Sequence, residues 1–332
     1  GQLPWATITM NDTNLRSLFG VASGAISMSN GYGKSSYNIS ATKGWFGGGI
    51  NFPSNVNQID ALTFSSVTMS DPAATLAQVR YASAGVNDST TGYFGGGRGG
   101  TPTGVTIVGE IDGITFSTEA AVNPAAALAQ VRWQLAGVHS TSTGYFAGGQ
   151  PIVGQIDGIT FATAAATDPA AALVQARYGV AGVHSSTIGY FAGGFPLTTQ
   201  IDGITFATVT ATDPTAALAQ ARATLAGVIS STTGYFSGGY LPGLSGQIDG
   251  ITFATGAAVN PAAGLIQSRN SLAGVNSSTI GYFGGGSVGT ATSTAGVTQI
   301  DALTFATEAI SDPAAALVQA RTGLAGVNNS NS

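Results

Sequence analysis

The chain has no cysteine, and only ten of its 332 residues are lysine or arginine. The first absence excludes a disulfide framework and thiolate chemistry, whether nucleophilic or metal-binding. The second removes the cationic footprint with which proteins hold nucleic-acid phosphates, so no nucleic-acid partner is expected. Charged residues make up 8% of the chain and the formal net charge is -5. No stretch of 18 apolar residues occurs, so no helix is expected to cross a membrane. The chain opens on Gly1 and not on methionine, which suggests processing, a tag scar or a fragment of something longer. What is abundant is glycine, at 49 residues, together with Ala, Thr, Ser and Val. That is the composition of an all-β protein outside the cell or on a particle.

One pattern is written six times. A Gly-aromatic-Phe strand ends in glycines, and an Ile-Asp pair, an Asp/Asn-Pro step, an Arg and Ala-Gly-Val follow it. The aromatics are Trp45, Tyr93, Tyr145, Tyr190, Tyr235 and Tyr282. The aspartates are Asp60, Asp112, Asp157, Asp202, Asp249 and Asp301, and the arginines Arg80, Arg132, Arg177, Arg222, Arg269 and Arg321. From Asp to Arg is always 20 residues and from Arg to the next Tyr always 13, whereas aromatic to Asp runs 15, 19, 12, 12, 14 and 19. All length variation therefore falls in one connection per unit. Such periods mark propellers and solenoids.

In the unit from Gln155 to Gly194, Gln155-Ile-Asp-Gly-Ile-Thr-Phe reads as a strand that bends at Gly158. Asp168-Pro169 followed by an Ala-rich run reads as a helix start, with the acid as N-cap and proline at the first helical position, so one or two helical turns are expected there. Arg177 would then sit at the helix end, where a cation suits the dipole. Val180-Ala-Gly-Val-His is a short strand, and Gly189-Tyr-Phe-Ala-Gly-Gly another. Each unit thus offers about four short strands in a meander, the content of a propeller blade.

A hydrophobic strand closed by a double glycine, as in Tyr190-Phe191 with Gly193-Gly194, then a variable loop, then Ile201-Asp202 and Phe206, resembles the kelch family of β-propellers. The mapping holds in all six units. It departs from the family in having Phe64, Phe116, Phe161, Phe206, Phe253 and Phe305 where Trp is usual, Ile where Tyr precedes the acid, and an added Asp-Pro-Ala segment. Near-identical units of this kind also look like those of predicted kelch-type virion structural proteins of phages, particularly of cyanobacterial hosts. The resemblance implies a single propeller domain over residues 1–332: a partial repeat and closure segment at 1–44, six repeats at 45–320, and a closing strand at 321–332. Six four-stranded antiparallel blades are expected. Trp5 is expected to stand where Phe64 stands in its own unit, and seven blades are the alternative, with residues 13–44 supplying strands. The rival architecture is a β-solenoid, against which the long Ala-rich Asp-Pro segment argues.

Every recurrent charge sits at a repeat slot, which is how a packing device is distributed. The Asp and Arg sets are therefore read as hydrogen-bonded ion pairs holding each blade to itself or its neighbour, with a ring of anion-binding arginines as the alternative. His139 and His184 share one slot in adjacent units, but no carboxylate completes a metal site, and metals generally need three or four ligands. No metal and no cofactor is expected. A copper enzyme of the galactose-oxidase type needs a cysteine, and a sialidase reading of Asp157-Gly-Ile-Thr-Phe fails on the position of Thr. Glu110, Glu119 and Glu308 are the only glutamates from which a polysaccharide-acting site in the channel, the runner-up function, could draw.

The variable connections, by contrast, are expected to emerge together on one face. They carry Phe52, Arg98, Phe195, Tyr240 and Leu241, groups suited to stacking on sugars or packing against protein. The expectation is a non-enzymatic structural or adhesive protein, extracellular or on a virion and present in many copies. It would bind a neighbouring subunit or a host surface glycan through that face.

Overall fold

The computed structural model describes residues 41–101, 104–289 and 296–329, all within a unit spanning Ile39–Ser332. Trp5 and most of the expected N-terminal partial repeat lie outside the described residues, as do the strands that a seventh blade would need.

The described residues are all-β, with no helix among them. The type sheet is an antiparallel meander of Ala136–His139, Thr143–Ala147, Gln155–Thr160 and Ala165–Ala172. Sheets of the same order start from Ala84–Asn87, Ala181–His184, Ala226–Ile229 and Ala273–Asn276, the last taking an extra strand, Ala316–Arg321, against its third. A further sheet draws on both ends of the described chain. In it Ala325–Asn328 pairs with Lys43–Gly47, and Ile59–Thr63 and Thr68–Ser70 follow. This architecture is consistent with a β-propeller-like fold.

The Gly-aromatic-Phe strand explains why the sheets stack. Successive side chains leave a strand on opposite faces, and Tyr145 and Phe146 are both buried. Tyr145 stacks on Phe206 of the following sheet at 5.4 Å and 3°, while Phe146 fills the space beside Gly95 of the preceding one. The same stack recurs as Trp45–Phe116, Tyr93–Phe161, Tyr190–Phe253, Tyr235–Phe305 and Tyr282–Phe64.

The glycine of each Ala-Gly-Val strand marks a close approach. A Cβ on Gly137 would lie 2.2 Å from the Gly85 carbonyl oxygen, and one on Gly182 2.3 Å from that of Gly137. Gly227, Gly274 and Gly326 meet the preceding glycine in the same way, and Gly85 meets Gly326. The succession of neighbours therefore returns to where it began.

The expected helical turns are absent. Asp168 Oδ1 accepts the Ala170 N–H at 3.1 Å, and Ala170 sits at φ 55, a left-handed conformation that stops a helix at its second residue. The pairing jumps from Ile156↔Ala171 to Gly158↔Thr167, so Asp168-Pro169-Ala170 is a bulge in the outermost strand. Proline's missing donor costs nothing at such a place. Beyond it the run alternates, Ala171 and Leu173 buried and Ala172 exposed, the period of a strand. Asp71, Asp213 and Asp312 make the same turn, with Ala73, Thr215 and Ala314 at φ 59 to 60; Asn123 does so with Ala125. Arg177 accordingly ends no helix.

Candidate binding site at the loop ends of the sheets

Each arginine joins two sheets. Arg177, fully buried, donates from Nη1 to the Gln200 carbonyl at 2.9 Å and from Nη2 to the Phe191 carbonyl at 3.1 Å. Its Nη2 also pairs with Asp202 Oδ2 at 2.9 Å. All these groups belong to the second and third strands of the sheet that follows. Meanwhile its own carbonyl accepts the Gly149 N–H of the preceding sheet at 3.0 Å. The double glycine is needed there: Gly148 and Gly149 have φ 66 and 116, and a Cβ on Gly148 would meet the Arg177 oxygen at 2.6 Å.

The sequence-predicted charges come together as Arg80–Asp112, Arg132–Asp157, Arg177–Asp202, Arg222–Asp249, Arg269–Asp301 and Arg321–Asp60. Each arginine pairs with the aspartate of the next unit. Burial pushes the carboxyls of Asp60, Asp157, Asp202 and Asp249 up, against the attraction of their guanidinium partners. Gln155, Gln200, Gln247 and Gln299 donate to the remaining carboxylate oxygen. Ahead of Asp112 that slot holds Glu110, which cannot donate when ionised. Asp112 Oδ1 and Glu110 Oε2 are left buried without hydrogen bonds.

Two residues beyond each arginine lies a slot that sequence reasoning did not single out. Its occupants are Ala82, Gln134, Gly179, Thr224, Ser271 and Gly323. Each donates its backbone N–H to the carbonyl of the one before it: Gln134 to Ala82 at 2.8 Å, Gly179 to Gln134 at 2.7 Å, Thr224 to Gly179 at 2.6 Å and Ser271 to Thr224 at 2.9 Å. Gly323 donates to Ser271 at 2.8 Å and Ala82 to Gly323 at 2.7 Å, so the chain of bonds rejoins itself. All six residues have positive φ, from 53 to 68. Backbone alone makes this motif, and its one trace in the sequence is a constant offset from Arg.

Above these six residues opens a cavity of about 410 Å3. Phe52 and Tyr240, both predicted for binding, line it. Arg98, Phe195 and Leu241 do not: the Arg98 guanidinium lies 5.0 Å over the Trp133 ring, and Phe195 packs on Tyr178 at 5.4 Å. Leu241 sits half-buried in a two-stranded ribbon with Gly243. Among the described residues no Asp, Glu, Lys, Arg or His lines the cavity. Glu110, Glu119 and Glu308 are elsewhere, engaged by Gln78, Lys43 and Tyr235 respectively.

At the opposite ends of the sheets, where first strand turns into second, side chains make the contacts. Asn276 Oδ1 accepts from Ile229 N–H at 3.3 Å, Asn328 Oδ1 from Asn276 N–H at 2.8 Å, and Asn87 Oδ1 from Asn328 N–H at 3.2 Å. His139 and His184 fill the same slot with ring centroids 4.0 Å apart. Burial lowers the His139 pKa to about 4 and that of His184 well below 6.5, so both rings are neutral. Among the described residues no group of three or more His, Cys, Asp or Glu could hold a metal ion. No protein-family model and no curated protein matches the chain.

Proposed function

We propose that the sheets are the six blades of one closed, kelch-like propeller acting without catalysis as a structural or adhesive component, extracellular or on a virion. It binds a neighbouring subunit or a surface glycan through the face that carries the variable loops. The propeller reading is supported by the aromatic stacks, the glycine contacts and the backbone hydrogen bonds, each of which passes from unit to unit and returns to the first. The kelch and phage assignments rest on the sequence resemblance alone.

The observation that carries the functional reading is the distribution of exposed apolar groups. Of nine large hydrophobic side chains exposed among the described residues, seven lie in the variable loops or in the connections that leave the sheets at the same ends. Phe52, Ile152 and Phe195 belong to the loops, and Val79, Val131, Val174 and Ile266 to the connections. Val318 lies on the added strand Ala316–Arg321 and Val122 on an outermost strand. A concentration of apolar groups on one face, on a body otherwise rich in Ser, Thr and Gly, marks a contact surface. Individual contacts on so shallow a face are weak, so attachment comes from many copies acting together.

The test compares a variant carrying Val131→Ser, Val174→Ser, Ile266→Ser and Val318→Ser with one carrying Ser142→Asp, Ser186→Asp and Ser231→Asp at the opposite turns. Self-association by sedimentation and binding to a surface-glycan array are measured. The first variant is expected to lose association or glycan attachment without a change in melting, and the second to keep both. The reverse pattern would assign binding to the other face.

A further inference from the structure

The geometry points to a binding site for a neutral saccharide in the 410 Å3 cavity at the loop ends of the sheets. This inference rests on the reading of the loop face as the binding face, and it names where on that face a ligand sits and what its chemistry is.

Size is the first observation. The cavity lies within the range of roughly 300–1,000 Å3 that holds small-molecule ligands. Charge is the second. Among the described residues no Asp, Glu, Lys, Arg or His lines it, and the six repeat arginines are fully buried and paired. An anionic ligand would find nothing to neutralise it, and a cationic one nothing to attract it.

The third observation is how hydrogen-bonding capacity is divided. The N–H groups of Ala82, Gln134, Gly179, Thr224, Ser271 and Gly323, which floor the cavity, are all given to neighbouring carbonyls. A peptide seeking main-chain pairing would find those donors occupied. Side chains are the opposite case. Gln134, Asn270, Ser83 and Ser271 line the cavity, and none of their side chains has a hydrogen-bond partner among the described residues. Ser83 Oγ, in a residue only 7% exposed, is buried and unpartnered.

Two amides and the Ser271 hydroxyl, all uncharged and able to donate and accept, therefore stand beside Phe52 and two tyrosine rings, Tyr81 and Tyr240, in a lining that is otherwise largely aliphatic. The rings offer apolar faces with a polar tip. This pairing of neutral donor-acceptors with aromatic faces fits a polyhydroxylated molecule that has apolar C–H faces and no charge.

The full chain would be titrated by saturation-transfer NMR and calorimetry with glucose, galactose, mannose and N-acetylglucosamine, and with glucuronate, sialic acid and glucosamine. At least one neutral sugar should bind in the millimolar range and the charged sugars should not. Gln134→Ala and Tyr240→Ala should each weaken binding tenfold or more. The opposite-turn variant, Ser142→Asp with Ser186→Asp and Ser231→Asp, should bind the free sugar as well as the unaltered chain does. No binding by any neutral sugar at 50 mM (roughly 2 kcal/mol of affinity,), binding indifferent to both cavity substitutions, or equal binding of charged sugars would overturn the proposal. Loss of array attachment in the variant carrying Val131→Ser, Val174→Ser, Ile266→Ser and Val318→Ser with free-sugar binding intact would support the loop face as the contact surface whatever the cavity holds, so the two readings fail separately.

Discussion

The two ends of the first strands solve the same problem with different atoms. At the loop end, neighbouring units are joined by N–H to carbonyl bonds through Ala82, Gln134, Gly179, Thr224, Ser271 and Gly323. At the turn end, the joints are side-chain oxygens of Asn87, Asn276 and Asn328 and the packed rings of His139 and His184. Where the main chain supplies cohesion, the side chain is released, and the slot accordingly holds five residue types. Where the side chain supplies cohesion it is bound to that task, and only Asn, His and a single Ile occur. The end that is free to vary is also the end with the cavity and the exposed apolar groups.

The largest effect is expected at the arginine, which joins neighbouring sheets at the loop end. Arg177→Ala would strand Asp202 and free the carbonyls of Phe191 and Gln200, at a cost of about 3–5 kcal/mol in chemical denaturation. A loss below about 1 kcal/mol would mean that the main-chain ring holds the units without it.

The turn end should lose stability in acid. His139 titrates near 4 when folded, against 6.5 for an unperturbed histidine. Asp88 on the adjoining turn opposes the shift only in part, and His184 itself is held neutral. As pH falls below about 6.5 the unfolded chain takes up the proton first, so stability declines until the folded ring protonates near pH 4. The decline is on the order of 3 kcal/mol for His139. Denaturation curves of a His139→Asn, His184→Asn variant should be flatter over that window. Curves as steep as those of the unaltered chain would place the acid response elsewhere.

A paired substitution tests the comparison itself. Asn276→Ala removes the acceptor for the Ile229 N–H and should cost about 1–2 kcal/mol. Gln134→Ala leaves its backbone bonds in place and should change stability by less than about 0.5 kcal/mol. Equal losses would erase the distinction between the two ends. One further substitution is expected to be a gain. Glu110→Gln supplies the donor that Asp112 Oδ1 lacks and that Gln155 gives Asp157, and should stabilise by about 1 kcal/mol.

What was legible in the sequence follows the same division. The aromatic, Asp and Arg slots could be read because burial admits few alternatives at each, and the two neighbours in each stack or ion pair are written in every unit. The floor of the cavity could not be read, because a bond between backbone groups leaves its residue types unconstrained. Phe52 and Tyr240 were found by being aromatic in polar loops, whereas Tyr81, Ser83 and Asn270 lie in the constant block and gave no such contrast. The Asp-Pro-Ala segment misled for a third reason. Asp before Pro caps a helix and equally forms the turn of a strand bulge, and only the Ala171, Leu173 alternation separates the two.

The sheet assembled from both ends of the described chain has a mechanical consequence. Gly44 pairs with Asn328 and Gly47 with Ala325, so the chain on either side of this joint departs from the same end of the pair. Tension applied across it would peel the strands apart one hydrogen bond at a time and not load them all in shear. Asn329 stands where the peel would start. Its Oδ1 accepts the N–H groups of Thr42 and Lys43, its Nδ2 donates to Thr42 Oγ1 and its N–H to the Lys43 carbonyl. One asparagine thus fastens the point at which this pair of strands would begin to open.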